Sequence, residues 1–360
     1  TSKYQTAEAV SMLKAVKESR DAINQAKDNA AVDNALAAAK AKIGGLKTGV
    51  EANWEEAIAA GDSLNPVHHH DTSMKDSGET DFDTLRSEAN PDYTDWHYVY
   101  FGIYPQTQVT DEETLKGLRG KYGNIEYKGK KYYASSSSGA GPWYECEPIK
   151  WRILQVEDNQ LFLAADKMID AVYLQRSYQC NAYVGSQLQF WMDYTANNKT
   201  YFFPRAFSDG EKEAIVISEI QDTPGSQSIQ AKAYVLSYEE ATNEEYGFCS
   251  DVSLSSRSRQ MRGTDFANEG ASDEGFFCWT RTYGKNGFKS ITADGRLDEE
   301  NISTKVGGVV PALRLSLDKE YAPYWSMSEP TSDADIKAVL DAWDGLETLY
   351  RKEDYSTAQW

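Results

Sequence analysis

The sequence predicts an α+β protein, in which a loop-rich β domain is inserted in, or flanked by, a small three-helix bundle. Apolar residues recur at helical spacing near both ends of the chain, whereas short β-rich runs alternate with turn signals in the middle. The expected domains, in order, are a helical hairpin, a polar linker, an α+β domain, and a linker and helix that complete the bundle or start a next repeat. Their ranges are 1–60, 61–95, 96–320 and 321–360.

The N-terminal helices are predicted from two apolar patterns. In the first, Ala9, Val16 and Ile23 stand seven residues apart. The second is a stripe at spacings of 4, 3, 4 and 3, typical of a helix that packs on one face. The stripe consists of Val32, Leu36, Ala39, Ile43 and Leu46. The stretch DNAAVDN (residues 28–34) supplies turn and cap residues between the two helices.

A further helix is predicted over residues 332–352. Ser332 stands at its start, with Asp335 three residues on in the capping-box position. Two amphipathic helices leave apolar surface exposed, whereas three close a bundle. The C-terminal helix is therefore expected either to fold back on the N-terminal pair or to pair with a following repeat.

The predicted linker, residues 61–95, is polar and lacks sustained periodicity. It contains the histidine run His68, His69 and His70, which raises the question of a metal site. Three adjacent histidines on a polar segment do not have the spacing of an HExxH motif. The calcium-binding motifs EPN or QPD with a later WND are also absent, since SEP (328–330) and WMD (191–193) do not have the required form. No metal site is predicted.

The middle of the chain contains seven β-rich runs and two helical stretches. The helical stretches are 187–197 and 208–215. The β-rich runs are WHYVYFGIY, IEYKGKKYYA, IKWRILQV, QLFLAA, EAIVISEI, AYVLSY and VVPALRLSL. Long ordered loops between such elements are where binding sites tend to lie.

Composition argues against two classes of partner. The net charge of −19 disfavours nucleic acid and anionic membranes, which attract basic patches. No hydrophobic run reaches membrane-spanning length, so membrane insertion of this fragment is not predicted. The 23 tyrosines and 9 tryptophans suit either a recognition surface or a large aromatic β core.

The sequence predicts no enzyme and no cofactor. Only four histidines are present, namely the run at 68–70 and His97, which weakens any Ser-His-Asp or Cys-His scheme. There is no GxSxG motif, no P-loop and no GxGxxG before a helix. The abundant carboxylates leave a glycosidase pair open, but solvated surface is their usual role.

The four cysteines form no CxxC pair, which argues against a zinc ribbon or a thioredoxin motif. In a secreted protein, an even number suits two disulfides, with three possible connectivities. Buried free thiols are the alternative. The cysteines are Cys146, Cys180, Cys249 and Cys278.

Six residues are predicted to contribute to binding. Arginine and aromatic side chains are typical anchors of protein interfaces, and several of these residues lie in the long segments 135–146 and 250–275. The six are Trp143, Tyr144, Arg257, Arg259, Arg262 and Tyr283. The structural alternative for the arginine-rich region is that Arg281 and Asp265 form internal salt bridges.

The β-rich region resembles an uncharacterised domain family of surface and secreted proteins from gut Gram-positive bacteria. The resemblance is carried, in order over about 220 residues, by stretches such as YFGIYPQTQV (100–109), EPIKWRIL (147–154) and GGVVPALRLSL (307–317). It implies a fold like that of C-type lectins and formylglycine-generating enzymes, with paired N- and C-terminal strands and a loop-rich face. Cys278 and Val310 depart from the family pattern.

The helical ends resemble the Ala/Lys-rich three-helix repeats that space out bacterial cell-wall proteins. The pattern Tyr-x-Thr-Ala-Glu/Gln occurs at Tyr4–Glu8 and again at Tyr355–Gln359, a separation of 355 − 4 = 351 residues. The expectation is that the chain is one period of a tandem array, and linked copies would gain avidity.

The sequence and its resemblances therefore predict a non-enzymatic binding module of a repetitive bacterial surface protein, extracellular and wall-associated or secreted. Its expected partner is a host extracellular protein, with immunoglobulin as the first candidate, as for a superantigen. A glycan- or mucin-binding or glycan-processing domain and a structural stalk are the alternatives.

Overall fold

The computed structural model shows a mixed α+β protein, which confirms the predicted class. The chain divides into two compact units, Thr1–Ala59 with Ser328–Trp360, and Ala60–Met327. The structure describes residues 17–27, 29–44, 49–69, 93–134, 141–176, 180–193, 201–222, 226–252, 255–270, 277–300 and 305–328.

The described part of the first unit is helical. Residues 17–24 form α1, and they are followed by α2 (Asn29–Gly44) and α3 (Gly49–Ala60). Three helical segments are thus described in the range predicted as a two-helix hairpin. The predicted turn at 28–34 falls mostly inside α2. Of the predicted stripe, Ala39 is buried, whereas Leu36 is 41% exposed.

The predicted linker has structure at both of its ends, so its range is corrected. Residues 61–64 form a 3-10 turn, and β1 (Val67–His69) pairs antiparallel with β2 (Tyr93–Asp95). His69 bonds Asp95 at 2.9 Å. Both strands belong to the second unit. The interval between them, and the predicted C-terminal helix at 332–352, lie outside the described residues.

The second unit is built mainly from two sheets. The strands after β2 are β3 (Tyr98–Gln108), β4 (Gly123–Tyr127), β5 (Lys130–Ala134), β6 (Trp143–Glu157), β7 (Gln160–Ala165), β8 (Asp170–Tyr173), β9 (Ile215–Val216), β10 (Ser218–Gln221), β11 (Ser228–Ala231), β12 (Tyr234–Val235), β13 (Phe277–Tyr283), β14 (Phe288–Thr292), β15 (Leu297–Glu300), β16 (Val306–Val309), β17 (Pro311–Ser316) and β18 (Trp325–Ser326).

The larger sheet is antiparallel throughout its described pairings and has the order β12-β17-β7-β6-β3-β18. The hairpin β4–β5 extends it from β6, and β9 adds to β17. The smaller sheet has the order β15-β14-β13-β16-β8, and β10 pairs separately with β11. Each predicted β-rich run contributes to at least one strand, whereas eight strands, β1, β2, β8, β11, β13, β14, β15 and β18, lie outside those runs.

Five short α-helices are described between the strands. The predicted helix at 187–197 is described over Gln187–Asp193, and the one at 208–215 is Asp209–Ala214. The helices are α4 (Glu112–Leu118), α5 (Gln187–Asp193), α6 (Phe202–Ala206), α7 (Asp209–Ala214) and α8 (Asp265–Gly270).

The hairpin β4–β5 closes through a two-residue turn. Lys128 and Gly129 both have positive φ, 50° and 79°, as a type I′ turn requires. This turn twists in the same sense as the strands and therefore fixes their register.

The packing of β3 against the segment after α6 positions the site described below. The rings of Phe101 and Phe207 stack with centroids 5.1 Å apart, and Trp151 donates its Nε1–H to the carbonyl of Phe101. Gly102 has a φ of 68°, and a Cβ there would lie 2.5 Å from the Phe207 ring. Glycine at this position therefore permits Phe207 to approach the strand closely.

Candidate ligand-binding cleft

The second unit contains a cleft of about 590 Å³. Residues of strands β3 to β6 line one side, and residues 204–212 line the other. The volume lies within the range of ordinary ligand sites. Its charged lining residues are three bases and three acids, namely Lys131, Arg205 and Lys212, and Glu126, Asp209 and Glu211.

The hairpin β4–β5 forms the first wall. Side chains alternate along its strands, so Asn124, Glu126 and Lys131 are exposed. Ile125 and Tyr132 lie on the opposite face, in a cluster with Leu118, Ala134 and Trp143. The apolar cluster holds the hairpin in place and leaves its polar face for the cleft.

The second wall is formed by α6, α7 and the residues between them. Ser208 caps the start of α7 in a capping box. The backbone N–H of Glu211 donates to Ser208 Oγ at 3.4 Å, and the backbone N–H of Ser208 donates to the Glu211 carboxylate at 2.7 Å. Lys212 pairs with Asp209 at 2.9 Å. Because Phe207 packs on β3, this wall is fixed to the sheet on which the opposite wall is built.

Arg205 lies among aromatic rings in the cleft lining. Its guanidinium is centred 4.4 Å from the Tyr133 ring and 5.5 Å from the Tyr104 ring. It donates to the hydroxyls of Tyr133 at 3.3 Å and Tyr104 at 3.4 Å. Burial tends to lower the pKa of Arg205, but Tyr104, Tyr133 and Asp170 outweigh burial and raise it. The side chain therefore remains a cation, held in place by the two rings.

Behind Arg205 lies a buried carboxyl group. Tyr104 donates its hydroxyl to Asp170 Oδ2 at 2.6 Å, and the amide of Ala171 donates to Oδ1 at 2.8 Å. Burial raises the pKa of Asp170 against the opposing effect of these bonds and of Arg205. Burial and Asp170 also raise the pKa of Tyr104 well above its usual value. The polar chain from Asp170 through Tyr104 thus ends at the cation in the cleft.

Trp143 and Tyr144 do not form the predicted surface contact, and this expectation is corrected. Both lie in β6 and are only 3% and 2% exposed. The Tyr144 ring packs edge-on against Phe266, with centroids 5.1 Å apart, and its hydroxyl donates to the carboxylate of Glu269. Burial, followed by Glu269, raises the pKa of Tyr144. These side chains support the sheet behind the cleft.

Arg259 is likewise an internal residue and not a surface anchor. Its side chain is 0% exposed and donates to three backbone carbonyls, those of Gly295 at 2.8 Å, Asp251 at 3.0 Å and Cys249. A guanidinium with five donors can join several loop carbonyls in this way. It therefore joins the backbone at Cys249 and Asp251 to the backbone at Gly295.

The other predicted contact residues do not line the cleft. Arg262 is exposed, Arg257 is half-buried, and half-buried Tyr283 packs edge-on against Phe288 with centroids 5.2 Å apart. None of the six predicted residues is among those that line the cavity, so the arginine-rich region and the cleft are separate places in the fold.

The internal alternative for Arg281 is confirmed. Arg281 forms a two-pronged pair with Glu240 at 2.6 and 2.7 Å, and it donates to the carbonyls of Gln221 and Val235. The carboxylate of Asp265 accepts a hydrogen bond from the backbone N–H of Gln108 at 2.9 Å. This described contact of Asp265 is with the main chain and is not a salt bridge.

No disulfide joins the four cysteines. Cys249 and Cys278 are buried, and burial raises the pKa of Cys278 to about 12. Cys146 lines the cleft, where burial raises its pKa to about 12 despite the opposing effect of Arg205 and Lys131. Cys146 is therefore a neutral thiol near pH 7.

Across the described ranges, no three His, Cys, Asp or Glu side chains converge as a metal would require. His68 contacts Thr94 at 2.9 Å, His69 stacks on Tyr93, and His70 lies outside the described residues.

Within the part of the chain that the structure describes, no helix combines the length and apolar character needed to cross a bilayer.

Sequence reasoning missed Arg205 altogether. The sequence feature that could have identified it is a single arginine in the apolar stretch YFFPRAF (201–207). A charge among apolar residues needs polar partners from elsewhere in the chain, because burying an unpaired charge is costly. Those partners are tyrosines 101 and 72 residues away in sequence, at positions 104 and 133. No local pattern predicts that they meet.

A known protein family matches part of the chain. The family described as "Domain of unknown function (DUF6273)" matches residues 158–317, which is less than half of the chain. The match begins at the turn before β7 and ends just after β17, so it includes the 204–212 wall of the cleft but not the β4–β5 wall. No curated protein and no solved structure matches the chain.

Proposed function

We propose that this protein is a non-enzymatic binding module of a repetitive bacterial surface protein, and that the cleft between the β4–β5 hairpin and residues 204–212 receives its ligand. The proposed ligand is a host extracellular protein. Immunoglobulin is the first candidate, because of the resemblance to surface-protein repeats.

The observation that carries this proposal is the cleft with its fixed cation. A binding site gains affinity when its polar groups are already oriented before the ligand arrives. Arg205 meets this condition, since two tyrosine rings and two tyrosine hydroxyls hold it at the cavity surface. The remaining charged lining residues, of both signs, suit a ligand with its own pattern of charges.

The chemistry of the cleft favours binding over covalent catalysis. A nucleophilic thiol requires a lowered pKa or an adjacent base. The pKa of Cys146 is raised to about 12, and the described cavity lining includes no histidine.

We propose further that the Ala60–Met327 unit has a C-type-lectin-like fold, flanked by a three-helix bundle. In support of the lectin-like part, the last strand of the unit, β18, pairs antiparallel with its first long strand, β3. In support of the bundle, the first unit has three described helical segments.

The proposed function is tested by affinity capture. The complete chain, immobilised, is exposed to serum and to mucus extract, and captured proteins are identified by mass spectrometry. Lys131→Glu reverses an exposed charge in the cleft, and Lys116→Glu makes the same change on exposed α4, outside it. We expect one captured host protein, whose recovery falls at least about 10-fold with Lys131→Glu. Lys116→Glu should leave its recovery unchanged.

Other outcomes contradict this proposal in distinguishable ways. Equal recovery by both variants places binding elsewhere on the chain. Capture that is abolished by deglycosylating the extract supports a glycan ligand. Absence of any captured molecule supports the structural stalk.

A further inference from the structure

Strand β4 is the edge of its hairpin. Its five residues pair in continuous register with β5, from Gly123 opposite Ala134 to Tyr127 opposite Lys130, without a bulge. Among the described strands, β4 pairs with no other. A regular edge strand presents a row of main-chain donors and acceptors that another strand can join.

The turn geometry determines which of these groups point outward. In a two-residue hairpin, the pair flanking the turn exchanges both hydrogen bonds, and pairs then alternate along the ladder. Tyr127 and Ile125 therefore bond β5, while Asn124 and Glu126 direct their N–H and C=O groups away from it. No hydrogen bond of these four groups to another described element is present.

The cleft reaches this edge. Asn124, Ile125 and Glu126 all line the cavity, although they are consecutive residues of one strand. Ile125 packs on the opposite face of the hairpin from its two neighbours, beside Leu118. The cavity crosses the face of β3, β6 and β5, opposite residues 204–212, and reaches the edge strand at these three residues.

We propose that the edge of β4 is a strand-addition site, at which an extended segment of a partner protein pairs with Asn124 and Glu126. This inference rests on the proposed function and narrows the ligand to a polypeptide in β conformation. Outward N–H and C=O groups recur every second residue, about 6.8 Å apart, which is the spacing of a β-strand main chain. Main-chain pairing supplies affinity in such complexes, and pockets for alternate side chains supply specificity.

The charged lining indicates how side chains of the added strand are discriminated. Alternate side chains of a strand on β4 face the same side as Asn124, Glu126 and the cross-strand Lys131. The far wall on that side carries Arg205 and Glu211. Acidic side chains of the added strand are therefore favoured near Lys131 and Arg205, and basic side chains near Glu126 and Glu211.

The probe is a phage-displayed library of random dodecapeptides, selected on the complete chain. The dissociation constants of selected peptides are then measured by fluorescence anisotropy for wild type, Glu126→Pro and Glu126→Ala. Both substitutions remove the carboxylate, but only proline removes the outward N–H, and that N–H is not part of the β4–β5 ladder. We expect binding about 10-fold weaker with Glu126→Pro than with Glu126→Ala.

A second measurement does not depend on the folding of the proline variant. Selected peptides are methylated at each backbone nitrogen in turn. A β-strand pairs through every second residue, so methylation should weaken binding at alternate positions only. Circular dichroism and thermal melting establish whether Glu126→Pro retains the wild-type fold.

Three results would overturn the inference: no peptide is selected, a folded Glu126→Pro binds as Glu126→Ala does, or methylation shows no alternation. A concentration-dependent dimer that Glu126→Pro abolishes would also overturn it, because a second copy would then occupy the edge. If the protein captured from serum remains sensitive to Lys131→Glu but not to Glu126→Pro, the proposed function stands and strand addition fails.

Discussion

Arg281 and Arg205 are both largely buried, but their surroundings differ in kind. Arg281 pairs with the Glu240 carboxylate and donates to the carbonyls of Gln221 and Val235 in the protein interior. Arg205 contacts tyrosine rings and hydroxyls and lines a cavity. Arg281 joins distant segments of the chain, whereas Arg205 is held at a surface that a ligand can reach.

The difference separates an arginine that cross-links the fold from one that lines a cavity and is proposed to contact a ligand. A buried guanidinium bonded to a carboxylate and loop carbonyls acts as a cross-link, and its removal leaves several acceptors unsatisfied. Tyrosine faces attract the cation and fix its plane, yet require no specific hydrogen bond from it. The predictions below test this distinction through stability.

The largest expected effect is that of Arg281→Leu. It leaves the Glu240 carboxylate without its two-pronged partner, and we expect the free energy of unfolding to fall by about 3–5 kcal/mol. Urea unfolding followed by tryptophan fluorescence measures this loss. As a control, Lys116→Ala breaks a highly exposed pair with Glu112 and should cost below about 0.5 kcal/mol. A loss below about 1 kcal/mol for Arg281→Leu would contradict the cross-linking role.

A smaller loss is expected for Arg205→Leu, about 1–2 kcal/mol, because the partners described for its guanidinium include tyrosine rings and neutral hydroxyls, which bind a cation less strongly than a carboxylate does. The same urea experiment provides the measurement. Arg205→Lys keeps the charge but not the planar group, so it should recover part of this loss. If Arg205→Leu were as destabilising as Arg281→Leu, the two sites would not differ as stated.

The next effect concerns Asp166, whose contribution to the free energy of unfolding is expected to decrease at acid pH. Burial tends to raise the pKa of Asp166, but the charge of Arg152 and its bond at 2.7 Å outweigh burial and lower it. The stabilisation is therefore present above the unfolded value of about 3.9 and is lost as pH falls through the folded pKa. Urea unfolding between pH 2 and 6 should show wild type losing its advantage over Asp166→Asn on acidification.

The smallest expected effect has the opposite sign and concerns Asp170, four residues further on. Burial raises the folded pKa of Asp170. Its favourable contribution is present below the unfolded pKa and is lost as pH rises through the folded pKa. Relative to Asp170→Asn, wild type should thus become less stable as pH rises above about 4. If the free energy of unfolding instead rose with pH, as expected for Asp166, the Asp170 carboxylate would be stabilised by Arg205 and not penalised by burial.

Local patterns predicted much of the framework. The run QLFLAA became β7, and SDGEKEAI became α7 with the capping box between Ser208 and Glu211. The splitting of IEYKGKKYYA into β4 and β5 follows from the turn residues Lys128 and Gly129, which the sequence prediction treated as part of one run. Each of these features depends on neighbouring residues, and for that reason the sequence contains its signal.

The candidate site was not predictable in the same way. Trp143 and Tyr144 have the composition of an exposed recognition pair, but β6 lies inside the larger sheet and buries them. The arginines of the 250–275 segment suggested an interface, yet Arg259 bonds loop carbonyls internally. Residue type alone does not distinguish these roles, because burial depends on which strands become neighbours.

The sequence by itself determined the α+β class, the acidic character and about half of the strand positions, since these depend on composition and short-range periodicity. Only the tertiary structure decided which arginine stabilises the fold and which faces a cleft, and which strand of the β4–β5 hairpin lies at the edge among the described strands. Those features arise from contacts between residues tens to more than a hundred positions apart, and a side chain's solvation is fixed only when such contacts form.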